Sequence, residues 1–212
     1  MPAALHIPKL QEFFYYAWSW EKWQKLVKAT PRNYQSKQVG RAELVDLLQL
    51  NGQAIKSVGQ WIQKREQIKQ LILQVLGDFP PLTVWLNPRI LNEREFKTYI
   101  RRKIVYCSET GDDIPAYLFL PKGQLRKYPA VLCCHQTNPF GKQEAAGIKG
   151  DPNLALAVKL VQRGYITLAP DAICFGERHN PLLGHYGEAI EFYKKHPHWS
   201  IAGKMIWDKS RA

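Results

Sequence analysis

The apolar positions change their period near residue 97 of this 212-residue chain. Before that point the spacing is helical. In "REQIKQLILQVLG", Ile68, Leu71, Ile72, Val75 and Leu76 fall at i, i+3, i+4, i+7 and i+8, one face of a helix. Gly77 is placed to end it, and Pro80-Pro81 forbids continuation. An earlier helix is expected over residues 10–28, "LQEFFYYAWSWEKWQKLVK", stopped at Thr30-Pro31-Arg32-Asn33. Residues 41–64 are expected to be helical, weakened at Gly52 and Gly59.

After residue 97 the pattern is that of strands. "TYIRRKIVYCSE" and "IPAYLFLP" flank the turn residues Gly111-Asp112-Asp113. "YPAVLCCH" is a third run and "YITLAPD" a fourth. Between them, "DPNLALAVKLVQRG" places Asp151 as an N-cap, Pro152 in the first turn, and an apolar stripe of Leu154, Ala157, Val158 and Val161 before Gly164. Strand, helix, strand predicts a parallel pair and an α/β fold. "SIAGKMIWDKSRA" predicts a last helix. The division expected is a helical region over 1–96 and an α/β region over 97–212.

Composition narrows the function. The chain is 45% hydrophobic and 23% charged, ordinary for a globular protein. No leader-like pattern opens it and no apolar run reaches the roughly 18 residues of a membrane span, so a cytoplasmic location is expected. The formal charge is +12, with 13 Lys and Arg against 8 Asp and Glu in residues 1–96 and 17 against 10 in 97–212. An excess spread over both parts gives a field that favours anions. Nucleic-acid binding is not expected, because no recognition motif accompanies the charge. Four cysteines with no C-x-x-C pair give no metal or disulfide framework. His179, His185, His196 and His198 lack the spacing of a tetrahedral site, so neither metal nor cofactor is expected.

The candidate chemistry lies where the third run ends. "VLCCHQTNPFGKQEAAGIKG" passes from apolar residues to His135-Gln136-Thr137-Asn138 and then to a Gly-rich loop. Ligands of open α/β sheets sit at the carboxyl ends of strands. Backbone N–H groups there can hold a developing oxyanion, given donors about 3 Å from it. By spacing alone the segment reads equally as such a site or as a polar loop with His135 satisfied by the core.

"VLCCHQTNPFGKQEAAGIKGDPNLALAVKLVQRGYITLAPDAICFGER" resembles the front half of an α/β-hydrolase, in the branch of dienelactone hydrolases and acetyl-xylan-esterase-like proteins. "REQIKQLILQVLGDFPPL" resembles the helical lead-in of that branch, so the likeness covers residues 64–212. The resemblance implies an incomplete hydrolase sheet of strands 1–4, in the order 1-2-4-3, behind a helical N-terminal region. It implies a small-molecule ester as substrate and Thr137 as the backbone oxyanion donor, with His135 and Gln136 shaping the loop. Gln136 departs from the His-Gly form of many relatives. Asp171, Glu177 and Arg178 would brace loops around the pocket.

The nucleophile that the resemblance requires is missing. None of Ser19, Ser36, Ser57, Ser108, Ser200 and Ser210 lies in G-x-S-x-G. By analogy the elbow would come roughly 15–30 residues past Ala212, and the chain would be inactive alone. Two alternatives stay open. Ala172-Ile173-Cys174-Phe175-Gly176 could be a thiol elbow, with Glu188 and His196 or His198 as partners. Or the half-fold could be a non-catalytic interaction protein, taking a partner's strand at the open edge of strand three. Its N-terminal helix would carry Phe13, Phe14 and Ala17 on one stripe and Tyr16, Trp20, Trp23 and Val27 on another. With Lys22, Lys25 and Lys28 that helix could lie on an anionic membrane, though packing against the core is the expectation.

Overall fold

The computed structural model describes residues 46–81, 84–123, 127–184 and 186–212. The expected helix over 10–28, its end at 30–33, its aromatic and lysine faces, and His185 lie outside these.

The described chain opens with a hairpin where a helix was expected. Asn51 and Gly52 both have positive φ, +51° and +79°. That pair suits the tight turn that joins two antiparallel strands, here β1 (Gln49–Leu50) and β2 (Gln53–Ala54). The helical reading of 41–64 is corrected over this stretch. Helix α1 spans Val58–Leu76, with the Ser57 hydroxyl capping Gln60 N–H. Gly77 ends it at φ +87°, where an added Cβ would lie 2.3 Å from the His198 carbonyl oxygen. No residue of α1 is buried. Leu71, Ile72 and Val75 of the predictive stripe stay exposed; Ile68 and Leu76 are half-covered.

A second correction follows. Arg89–Glu95, inside the region read as helical, forms β3 and pairs antiparallel with β4 (Tyr99–Glu109), from Arg89↔Val105 to Glu95↔Ile100. β4 turns through Gly111 into β5 (Asp112–Pro121). β6 (Ala130–Leu132) and β7 (Ile166–Pro170) are parallel neighbours, and β7 pairs antiparallel with β5. The sheet order is β3-β4-β5-β7-β6. The four expected runs are β4 to β7, and they stand in the order 1-2-4-3. β6 is an edge strand, with Leu132 exposed on it.

The crossover from β6 to β7 uses the predicted caps. The Asp151 side chain accepts from Asn153 N–H over a short 3-10 turn, Pro152–Leu154, and α3 (Leu156–Val161) follows α2 (Lys142–Ala145). Ala157 and Val161 pack on one sheet face against Phe119, Ala169 and Cys133. Gly164 turns the chain into β7 at φ +88°. α4 (Gly187–Lys195) and α5 (Ile201–Ser210) close the described chain, the latter capped by Ser200 Oγ on Gly203 N–H. Phe192, Trp199 and Trp207 cluster there, and Phe79 packs against them.

Candidate active site

Because β6 and β7 are parallel, the loops leaving their carboxyl ends meet. Cys133 N–H donates to the Leu168 carbonyl (2.8 Å), which carries the pairing one residue past β6. His135 then crosses between the loops. Its Nε2 accepts from Ala172 N–H at 3.0 Å, and its Nδ1 lies 2.6 Å from the Gln136 carbonyl. A carbonyl can only accept, so the proton sits on Nδ1 and the ring is neutral. Burial holds the His135 pKa below the ordinary value, against the opposing pull of the Gln136 carbonyl. The ring also meets Phe175 edge-on, centroids 5.5 Å apart.

Gln136 and Thr137 are exposed. The Thr137 N–H makes no hydrogen bond to any other described residue. The next residues are tightly bound. Asn138 Oδ1 accepts from Phe140 N–H (2.8 Å) and Gly141 N–H (3.1 Å), and its Nδ2 donates to Glu144 (2.5 Å).

Asp171, at the end of β7, gathers the loops from the other side. Its carboxylate accepts from Lys142 N–H (2.7 Å), Lys142 Nζ (2.5 Å) and Glu177 N–H (3.0 Å). Asp171 and Lys142 side chains have no exposed surface. The ammonium also bonds Glu177 at 2.5 Å, and Glu177 reaches Lys103 at 2.7 Å. Burial would raise the Glu177 pKa, but Lys103 and Lys142 outweigh it and hold it below the ordinary range. Gly141 and Gly176 have φ of +53° and +56°, and a Cβ on either would come within 2.3 Å of Asp171 Oδ1. Only glycine fits both the backbone and the space.

Arg178 ties the same loop to the β4–β5 hairpin and to α5. It donates to Asp112 (2.9 Å) and Asp208 (2.7 Å). Lys204, on α5, bonds Asp208 (2.6 Å), Glu109 (2.9 Å) and Asp112. Burial lowers the Arg178 pKa, but Asp208 and Asp112 reverse this, so it stays charged.

Cys174 is the third residue of a turn closed by Phe175 N–H on the Ala172 carbonyl, at φ +71°. Burial, then the nearby Glu188 carboxylate, pushes its thiol up to about 12. A nucleophilic thiolate needs the opposite shift. Glu188 is engaged by His179 Nδ1 (3.0 Å) and by Asn180 N–H. No hydrogen bond joins Cys174 to His196 or His198. His196 lies 3.5 Å from Glu109 instead. The described serines are engaged in other ways: Ser57 and Ser200 cap helices, Ser210 donates to the Trp207 carbonyl of its own helix, and Ser108 accepts from Lys204.

The sequence reading missed Lys142, Asp112, Lys204 and Asp208. Their one sequence signal is that Lys204 and Asp208 stand four apart on a predicted helix, where opposite charges pair. Lys142 carries none, since its partners are 29 and 35 residues away. Among the described residues no group of three or more His, Cys, Asp and Glu is placed to hold a metal ion. No described helix is long and apolar enough to cross a membrane.

No family model matches the chain, and no curated protein matches it. Solved structures do. A protein of Bacteroides fragilis assigned as an acetyl xylan esterase superposes with a TM-score of 0.57 at 18% identity, over 72% of this chain and 42% of that one. A promiscuous CE15 esterase from a marine bacterial metagenome gives 0.48 at 18% identity, over 84% and 54%. The chain thus spans about half the length of the solved structures it resembles. With its five-stranded sheet and flanking helices, it has an α/β fold similar to that of the Bacteroides protein.

Proposed function

We propose that the chain is the N-terminal portion of an enzyme that hydrolyses small carboxylic esters. Its own part in that reaction is to supply one oxyanion donor, the Thr137 backbone N–H. The observation that carries this is the contrast within one loop. The loop is fixed by His135–Ala172, Asn138–Gly141 and Lys142–Asp171, while the backbone N–H groups of Gln136, Thr137 and Asn138 have no partner among the described residues, and the resemblance selects Thr137 among them. A donor held rigidly by its neighbours and not already bonded is what oxyanion stabilisation needs.

In the mechanism that follows, a nucleophile attacks the ester carbonyl carbon and the carbonyl electrons move onto oxygen. The Thr137 N–H donates to that oxygen as its charge develops. His135 takes no proton, because its Nε2 is already occupied by Ala172 N–H. It keeps the β6 loop against the β7 loop. Asp171 and Lys142 hold the same two loops by charge, and Glu177 and Arg178 extend the brace to β4 and α5. The nucleophile, acid and catalytic His would come from a continuation of the chain. The lack of a G-x-S-x-G in this sequence and the greater length of the Bacteroides protein support that reading. Dienelactones and acetylated sugars are the candidate substrates by resemblance.

Labelling tests this. The purified 212-residue chain, treated with a fluorophosphonate serine probe and read by mass spectrometry, is expected to gain no adduct. An adduct on any serine of residues 1–212 would overturn it.

A further inference from the structure

We propose that the cleft between the β3–β4 turn and the loop over residues 146–155 binds a small organic anion, a carboxylate carried on one flat apolar ring. The first observation is a like-charge pair. Arg94 and Arg101 stand directly opposite each other in the β3–β4 register, an arrangement that destabilises a ladder unless a counter-charge intervenes. Both guanidinium groups pack on the Phe96 ring, 5.1 and 5.3 Å from its centre, and Arg101 also lies 5.2 Å from that of Tyr117. Neither has a carboxylate partner among the described residues. The acids of β3 serve other cations, Glu93 pairing with Arg102 (2.6 Å) and Glu95 with Lys122.

The second observation is the space beside them. Arg101 and Lys149 line a cleft of about 300 Å³ whose apolar wall is built from Phe96, Tyr99, Ile148 and Val158. Phe96 and Tyr99 stack on each other at 4.5 Å, which makes that wall aromatic. Lys149 has no ion pair among the described residues. The acids of the facing loop are engaged elsewhere. Glu144 accepts from Asn138 and Asp151 N–H, and Asp151 caps Asn153. Two uncompensated cations over aromatic and aliphatic walls select charge and ring together. The volume, at the lower end for ligand sites, admits about one ring with its carboxylate. No residue of the His135–Gly141 loop lines this cleft, so the proposal is independent of the esterase reading.

Calorimetric titration of the 212-residue chain with benzoate, benzamide and inorganic phosphate tests it. Benzoate is expected to bind, with benzamide and phosphate each at least about tenfold weaker, since one lacks the charge and the other the ring. Lys149→Met, in an exposed loop, and Arg101→Met should each weaken benzoate by about tenfold. The Arg101 variant is interpreted only with an unchanged thermal melt, and the Lys149 variant stands without it. Benzamide or phosphate binding as tightly as benzoate would overturn the proposal. So would no binding of benzoate, or binding unchanged in Lys149→Met.

Discussion

Asp171→Asn tests whether the buried charge pair holds the candidate loops together. The substitution keeps shape and removes charge. It leaves the Lys142 ammonium, which has no exposed surface, with only Glu177 as a carboxylate partner. It also turns one acceptor oxygen into an amide that faces either Lys142 N–H or, at the other oxygen, both Lys142 Nζ and Glu177 N–H, all of them donors. Removing one partner of a buried pair costs about 3–5 kcal/mol. Glu177 is partly exposed and keeps some compensation, so the lower end, about 3 kcal/mol, is expected. For a chain of this size that lowers the melting temperature by roughly 6–12 °C. Lys142→Met should cost a similar amount, and the double variant less than the sum, with a coupling of about 2 kcal/mol. Urea unfolding followed by the fluorescence of buried Trp199 and Trp207 reads all four proteins. Losses under about 1 kcal/mol, or additivity within about 0.5 kcal/mol, would refute the reasoning.

Stability should fall as pH drops from 7 to 5. Burial lowers the pKa of His135 and His196, so the unfolded chain takes up protons first near 6.5; His135→Asn should flatten this limb of a pH–stability curve. A second loss is expected below about pH 4. Burial opposes ionisation of Asp112, but Arg178 and Lys204 prevail and set its pKa under 3.8, so its stabilisation fades as pH falls through that lowered value. In timed alkylation at pH 8, exposed Cys134 should react first and Cys174 only on unfolding; early labelling of Cys174 would revive the thiol-elbow reading. Gly176→Ala should destabilise by at least about 1–2 kcal/mol in the same urea assay, from φ +56° alone and before the clash with Asp171; a neutral result would mean the turn is not as close to Asp171 as described.

β4, β5 and β7 were legible because each carries buried apolar positions along its length. In β4, Ile104 and Tyr106 point to a core that Ile114 and Ala116 of β5 share, and period-two spacing records it. The crossover was legible from its caps, Asp151 and Gly164. β3 was not legible, since "RILNERE" is exposed at every position and gains its structure from pairing with β4 alone. The β1–β2 hairpin has two-residue strands, too short for any period, and only Asn51-Gly52 marked it. At the site, the loop after β6 could be located from its abrupt polarity. The Lys142–Asp171 contact could not be, because a buried ammonium leaves no local pattern when its partner is 29 residues away.

The most direct test is the intact mass of the native gene product after fluorophosphonate labelling in its source cells. The account predicts a protein heavier than 24.5 kDa by roughly a further domain's length of chain, with one adduct on a serine beyond Ala212. A native product of 24.5 kDa, or an adduct within residues 1–212, would contradict it.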